Sequence, residues 1–455
     1  MRDVKQGFYA GFSRVDITPE NGVAIEGYFI PRRVEGVLDV LEVNTLALAE
    51  GEKQVVILCA DICLINQDYM DILRSAVSEN TGIPVEAVFM SVTHTHTSPC
   101  VGKAYTGDVV MTDVDHAYLE KLIQDVVSAA QKAIDNLKPA RMGWGIGNAP
   151  GIAFSRRIRM KDGSVRTNPG LHNPDALEAI GEMDERVNVL RFDQEDGDNI
   201  VIVNYGNHPD SIGGCKVSAD WPGVMRRTVE TSIPGTKCMF LNGVEGDVGH
   251  VNIWAKDGEM NDLTIDFDDV IRGFGHTLHM GRVVAGAVLQ VYDKVNYTQE
   301  NKLRFVEKII DVPSNRPKES ELELAHKYNE LHKAGKDNEI PHKGMMLTTV
   351  VAEAERMVRL ENGPDSFPMK FAAVAIGDVA ILGIPGEPFT DVGVEIKKAE
   401  GFKMVMPCSN ANGAEGYFPT KNAYDEGGYE ARSSYFKCGA AEYIVDECKK
   451  ILSII

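Results

Sequence analysis

Two histidines directly after an apolar run are the strongest chemical signal in the chain. His94 and His96 belong to a Thr-His-Thr-His-Thr segment that follows the apolar run 87–92. Residues i and i+2 of a strand face the same side, so the two imidazoles can converge. Imidazole is a frequent zinc ligand, and α/β proteins bind ligands at strand ends. The pair therefore predicts a metal site. Histidines that only hydrogen-bond within a loop are the alternative.

Three further strand-like runs also end in groups that can bind a metal. His208 follows the run 200–205, a glycine-rich loop 243–250 follows the run 238–242, and Glu387 follows the run 379–384. Each signal is weak alone, since glycine-rich turns are common and a glutamate can simply stabilise a helix N-terminus. Open α/β sheets gather such ends on one edge. A shared site is the economical interpretation, and its groups are His94, His96, His208, Asp247, His250 and Glu387.

The elements around these groups predict an α/β fold of layered mixed sheets flanked by helices. Apolar runs alternate with amphipathic helical patterns. The predicted strands are 55–60, 87–92, 187–192, 200–205, 238–242, 371–376 and 379–384, and the predicted helices are 69–78, 115–137 and 274–294. A polar, mostly helical block at about 314–363 predicts an insertion or lid. No linker marks a boundary, so one domain over residues 1–455 is expected.

The charge and hydrophobicity of the chain argue against some classes of binding partner. The chain has 455 residues, with 47 Lys and Arg against 67 Asp and Glu, and a net charge of −20. No basic stripe is present, which argues against a nucleic-acid partner. No apolar stretch is long enough for a membrane helix, and no apolar run follows the basic N-terminal residues, so a cytoplasmic protein is expected. The eight cysteines form no C-x-x-C pair, which predicts buried free thiols.

At this point the chain resembles the neutral/alkaline (non-lysosomal) ceramidase family, specifically its catalytic N-terminal domain. The similar segments occur in the family's order and span nearly the whole chain. They are 11–19, His94-Thr95-His96, His208-Pro209, Ser218-Ala219-Asp220, Gly246-Asp247-Val248, Pro385-Gly386-Glu387, 416–420 and Gly428-Tyr429-Glu430. The order and spacing of these segments carry the resemblance, since none is specific alone.

The resemblance implies an activity and a ligand set. The family hydrolyses the amide bond of an N-acyl sphingoid base. Its ligands for one Zn²⁺ per chain fall on His94, His208, Glu387 and Tyr417. His96 corresponds to a polar group that contacts the substrate or the reaction centre, and Tyr429 to a tyrosine that lines the same pocket.

Two departures from the family pattern modify this expectation. The family's Gly-Asp-Val-Ser-Pro-Asn is Gly246-Asp247-Val248-Gly249-His250-Val251 here, so a serine nucleophile is disfavoured and a metal-activated water is expected. The chain also ends soon after the catalytic region, as a short bacterial-type member without the C-terminal immunoglobulin-like domain would. A smaller or different N-acyl substrate than ceramide is therefore expected.

Roles for the remaining groups follow from their chemistry. The expected residues are His96, Tyr429 and His250 for acid–base or oxyanion contacts, Arg156, Arg157 and Gly246 for substrate binding, and Asp247 and Asp220 for orienting the ligand imidazoles. A surface ion pair is the alternative for the two arginines.

Other functions remain open at this stage. A zinc-dependent esterase or lactamase needs the same site, and a non-catalytic metal- or ligand-binding relative needs no reaction. An amidohydrolase barrel also ends a strand in H-x-H, but it requires eight regular βα units, and the spacing here is irregular. The sequence leaves open whether the chain forms a homo-oligomer and whether a second metal binds.

Overall fold

Two β-sheets form the frame of the computed structural model, which describes residues 7–102, 109–256 and 273–455. Residues 1–6, on which the expectation of a cytoplasmic chain partly rested, lie outside this range. In the described residues the larger sheet has nine strands: β1 (Phe8–Asp16), β2 (Glu42–Glu50), β3 (Lys53–Ala60), β4 (Val88–Val92), β5 (Lys138–Asn148), β6 (Arg186–Gln194), β7 (Asn199–Tyr205), β8 (Thr236–Asn242) and β9 (Asn296–Tyr297). The second sheet comprises β10 (Leu303–Pro313), β11 (Ser366–Ile376), β12 (Val379–Gly383) and β13 (Met404–Cys408).

Helices cover both sheets. Those of the described residues are α1 (Gln67–Thr81), α2 (Asp113–Asp135), α3 (Asp220–Ser232), α4 (Phe274–Tyr292), α5 (Glu319–Lys333), α6 (Gly344–Leu360), α7 (Thr390–Ile396), α8 (Lys421–Glu426), α9 (Tyr429–Ser433) and α10 (Ala440–Ile454). Each predicted strand and helix corresponds to one of these elements, with ends shifted by a few residues. No helix within the described ranges combines the length and the apolar character that crossing a bilayer requires.

The larger sheet brings its two edge strands together. Its order is β8-β7-β6-β5-β1-β2-β3-β4, with β9 paired to β5. The inner pairs are antiparallel, whereas β3 with β4 and β7 with β8 are parallel. The segment 409–412 lies between the edges, because Asn412 N donates to Met90 O (2.7 Å) and Ser409 N donates to Asn242 O (3.3 Å). The C-terminal ends of β4 and β8 therefore meet at this segment.

The alternation of side chains along β7 explains the layering. Val201 and Val203 pack into a core with α3 and α4, while Ile200 and Ile202 face a core shared with the second sheet. A strand buried on both faces reads as a continuous apolar run, as this one does. The second sheet in turn packs against α10 on its other face. The layered α/β fold expected from the sequence is thus confirmed.

Two helices occupy the polar block at about 314–363. These are α5 and α6, and α6 contacts α9. Because α9 begins at Tyr429, the block lies beside one of the residues expected in the site.

Candidate metal centre

His94, His208 and Glu387 converge in the interior. Oε2 of Glu387 lies 3.5 Å from Nε2 of His94 and 3.3 Å from Nε2 of His208. Two bonds of zinc to such ligands, each about 2.0–2.1 Å long and at a tetrahedral angle, separate the ligand atoms by about 3.3–3.4 Å. Among the described residues, only this trio and the trio Cys63, His94 and His96 bring three metal-binding side chains within 4.8 Å of one another.

Backbone carbonyls orient both imidazoles. His94 follows β4 in a left-handed conformation (φ 70°), and its Nδ1 lies 2.7 Å from the carbonyl oxygen of Cys63. His208 follows β7, and its Nδ1 lies 2.9 Å from the carbonyl oxygen of Val248. A carbonyl only accepts, so each Nδ1 carries a proton, and Nε2 is the nitrogen of each ring that a metal ion can use. In each ring this nitrogen faces Glu387.

The environment of Glu387 fits a cation. Burial raises the pKa of its carboxyl group, but His94 and His208 outweigh that effect and hold the pKa well below its ordinary value. No hydrogen-bond donor within the described structure serves Oε2, although the atom is buried. A buried carboxylate without a donor is costly unless a positive charge compensates it. Two imidazole nitrogens and one carboxylate oxygen are a donor set that suits zinc.

Tyr417 lies beside Glu387 through strand pairing. The short strands Glu387–Pro388 and Tyr417–Phe418 are parallel, with Glu387 directly opposite Tyr417. Burial and the neighbouring Glu387 raise the pKa of the Tyr417 phenol well above its ordinary value. The phenol is therefore protonated next to Glu387 unless a cation offsets the negative charge.

The cluster opens into a cavity of about 90 Å³. His96 lies in its wall, with Nε2 3.3 Å from Nε2 of His94, and Tyr429 packs its ring 5.6 Å from that of Tyr417. The described residues lining this cavity are Glu26, Gly27, Phe29, Cys63, Leu64, His94, His96, Ala352, Glu355, Glu387, Ala414, Gly416, Tyr417, Tyr429, Ser433 and Tyr435. Two of them, Ala352 and Glu355, come from α6, so the helical block forms part of the wall.

Arg156 is a buried neighbour of the cluster. Its Nη1 lies 3.2 Å from Nε2 of His208, its Nη2 donates to the carbonyl of Gly246 (2.8 Å), and its Nε pairs with Glu430 (2.6 Å). Both arginines form ion pairs, but not at the surface as the alternative interpretation required, since Arg156 is 9% and Arg157 4% exposed. The two residues also differ, because Arg157 pairs with Glu426 at 2.8 Å rather than with the cluster. Ion pairing makes the burial of both guanidinium groups tolerable.

The two aspartates do not orient the imidazoles, a role that the structure gives to the carbonyls. Asp220 instead accepts a hydrogen bond from Ser211. Asp247 accepts hydrogen bonds from N and Oγ1 of Thr390, both at 2.8 Å. Since Thr390 begins α7 three residues after Glu387, Asp247 fixes the chain that carries the carboxylate.

Gly246 and His250 also differ from expectation. The N–H of Gly246 donates to Pro388 O (2.9 Å), so it does not offer a donor to an oxyanion. His250 places Nδ1 2.9 Å from Oδ1 of Asp210, and its ring packs 5.4 Å from that of His276. Both residues follow β8, but neither is among the described residues that line the cavity.

Sequence reasoning missed two buried glutamates. Glu245, within the glycine-rich loop, is 0% exposed and accepts a hydrogen bond from Asn410 (3.2 Å). Burial raises the pKa of Glu245 to about 8, although the charge of His94 opposes this shift. Glu430 neutralises Arg156. Each glutamate is next in sequence to a predicted site residue, Gly246 or Tyr429. The burial of the two glutamates, however, depends on contacts between distant parts of the chain.

Comparison with known proteins gives a structural match only. No protein-family model matches the chain, and no curated protein matches it either. A crystal structure of neutral ceramidase from Pseudomonas aeruginosa aligns with a TM-score of 0.73 and 16% identity, over 98% of this chain and 74% of that one. The chain has the ceramidase fold. A second ceramidase structure, described as complexed with C2, aligns with a TM-score of 0.72 and 16% identity, over 98% and 75% of the two chains. The resemblance found in the sequence is therefore confirmed for the fold.

Proposed function

We propose that this protein is a zinc-dependent hydrolase that cleaves the amide bond of a small N-acyl substrate. The observation that carries the proposal is the spacing of Glu387 from His94 and from His208, two distances close to the edge of a tetrahedral zinc site. The ceramidase fold supports the same reaction class, because the two aligned structures are ceramidases.

Four side chains hold the ion in this proposal, namely His94, His208, Glu387 and Tyr417. Zinc supplies Lewis-acid chemistry at such a site, activating a water for attack and polarising the carbonyl group. The carbonyls that bind Nδ1 of His94 and His208 keep both rings in the required tautomer. The pairing of Glu387 with Tyr417 fixes the two oxygen ligands relative to each other.

The cavity wall supplies the other groups that the reaction needs. His96 accepts a proton from the attacking water and returns it to the amine as the carbon–nitrogen bond breaks. Tyr429 donates its hydroxyl proton in a hydrogen bond to the carbonyl oxygen as negative charge develops there. Arg156 holds a fixed positive charge beside Nε2 of His208 and beside the ring of Tyr417, whose centroid lies 5.3 Å from its guanidinium carbon. That charge favours the anionic transition state.

The lining of the cavity indicates the substrate. Phe29, Leu64, Ala352 and Ala414 give it an apolar wall, which suits an acyl chain or another apolar group. We therefore propose an N-acyl amide with an apolar portion, smaller than or different from ceramide.

The test combines zinc analysis with hydrolysis of a substrate panel. Chelator-treated protein is assayed on N-acyl amides of increasing acyl length and on the matched esters, before and after zinc is restored. Amide cleavage is expected to require zinc. The variant His208→Ala is expected to lose zinc and hydrolysis together, whereas His279→Ala, on the exposed face of α4, keeps both.

Two results would count against the proposal. Full amide hydrolysis by zinc-free protein would show that the reaction does not need the metal. Cleavage of the esters alone would assign the site to an esterase.

A further inference from the structure

A thiol lies beside the imidazole that the candidate zinc site uses. Sγ of Cys63 is 3.9 Å from Nδ1 of His94, and Nε2 of His96 is 3.3 Å from Nε2 of His94. Cys63, His94 and His96 each offer one ligand atom, and these atoms all lie within 4.8 Å of one another. All three residues line the cavity, so an ion entering from it can reach them.

We propose that Cys63, His94 and His96 form a second ligand set, which binds a thiophilic cation in place of the hydrolytic ion. The proposal rests on the proposed function in one respect, that His94 is a zinc ligand. Nδ1 of His94 donates to the Cys63 carbonyl, so the ring has a single lone pair, on Nε2. One lone pair binds one cation, and the two sets are therefore mutually exclusive.

The chemistry of the donors determines which cations compete. Thiolate sulfur is a soft ligand that favours soft cations, whereas Mg²⁺ and Ca²⁺ prefer oxygen. A zinc ion bound tetrahedrally to one sulfur and one nitrogen separates those atoms by about 3.6 Å. A larger soft cation such as Cd²⁺ tolerates wider spacing than zinc, and the three ligand atoms lie within 4.8 Å of one another.

The main chain holds the thiol in reach. The N–H of Cys63 donates to Oγ of Ser98 (2.7 Å), and its carbonyl accepts from His94. Rotation of the Cys63 side chain can then bring its sulfur to an ion on Nε2 of His94. On binding, the S–H bond breaks, the sulfur–metal bond forms and the proton passes to the buffer. No oxidant or reductant takes part.

The expected consequence is inhibition without unfolding. A cation on the thiol set occupies Nε2 of His94, which leaves His208, Glu387 and Tyr417 without the fourth ligand. Hydrolysis stops while the fold persists, and a dithiol that extracts the cation restores activity once zinc is present.

The test follows the ultraviolet charge-transfer absorption of sulfur bound to Cd²⁺. Metal-depleted protein is titrated with Cd²⁺ in a background in which the two more exposed thiols are replaced, Cys215→Ser and Cys438→Ser. We expect a band that saturates at one Cd²⁺ per chain. Cys63→Ser and Cys63→Ala should abolish it, while Cys100→Ser should keep it, because Cys100 is also buried but belongs to neither ligand set. Near-ultraviolet circular dichroism checks that each variant is folded. Absence of the band, or its persistence in both folded Cys63 variants, would overturn the proposal.

A second arm separates this inference from the proposed function. His208→Ala should lose zinc binding but keep the Cd²⁺ band. If it keeps zinc, the zinc assignment fails while the Cd²⁺ result stands independently. In the unmodified site, saturating zinc should raise the Cd²⁺ midpoint at least about tenfold, since both ions need His94. Simultaneous binding of both ions would contradict mutual exclusion.

Discussion

Replacing Gly246 with alanine should weaken the metal centre without removing any ligand. The α-carbon of Gly246 lies against the backbone that carries Glu387. An added Cβ would lie 2.4 Å from the carbonyl oxygen of Glu387 and 2.8 Å from that of Pro388. Neither oxygen belongs to a flexible side chain, so the backbone itself must move.

The size of that movement sets the expected effect. Relief of the closer contact to 3.0 Å requires a shift of about 0.6 Å or more. Metal–ligand distances vary by only about 0.2 Å in well-formed sites. Loss of a group that supports a ligand weakens metal binding by about 10–100-fold, and we expect Gly246→Ala to fall in this range.

The assay is a zinc titration of metal-depleted protein against a competing chelator. The matched control is Gly249→Ala in the same loop, whose added Cβ would lie 3.7 Å from the nearest atom, Cβ of Arg156. It should bind zinc as the wild type does. Neither glycine has a positive φ, so backbone conformation does not explain a difference between the two variants. Wild-type zinc affinity in a folded Gly246→Ala protein would refute the steric reasoning.

Three further predictions concern stability. Burial raises the pKa of Asp184, but Arg186 and Lys397 outweigh that effect and lower the pKa to about 2. The ionised carboxylate therefore stabilises the fold at pH values above its ordinary pKa of about 3.8. This stabilisation is lost as the pH falls towards 2. Asp184→Asn should cost about 2 kcal/mol in urea unfolding at pH 7, and the difference should shrink below pH 4; a constant difference would contradict the linkage. Asp247→Ala should lower the unfolding free energy by about 1–3 kcal/mol, because the buried N–H of Thr390 loses its acceptor, and Asp247→Asn should recover part of that loss. Equal unfolding free energies for the wild type and both variants would be inconsistent with this role. Zinc at about 1,000 times its dissociation constant should add about 4 kcal/mol to the unfolding free energy, and calorimetry that finds no zinc-dependent rise in Tm would exclude specific binding to the folded state.

Much of the fold could be predicted because the strands are buried on both faces. The runs that became β4, β7, β8 and β12 are mostly apolar, and such runs indicate buried strands without a structure. The polar groups that follow them were predicted to meet on one edge of one sheet. His94, His208 and Glu387 do meet, but β12 belongs to a second sheet, and the segment 409–412 joins the opposite edges of the first.

The environment of the site was less predictable because it depends on distant contacts. Arg156 is buried only because Glu430 neutralises it, and those residues are far apart in the chain. The carbonyls of Cys63 and Val248 orient the imidazoles, and backbone groups leave no signature in residue types. Local patterns indicate which residues can act as ligands, whereas the tertiary fold decides what surrounds them.

The most direct test is X-ray diffraction from crystals of zinc-loaded protein, measured on both sides of the zinc absorption edge. One anomalous difference peak per chain is expected, within bonding distance of Nε2 of His94, Nε2 of His208, the carboxylate of Glu387 and the phenol oxygen of Tyr417. The absence of a peak at that position in zinc-saturated crystals, or a peak held by other residues alone, would contradict the proposed metal centre.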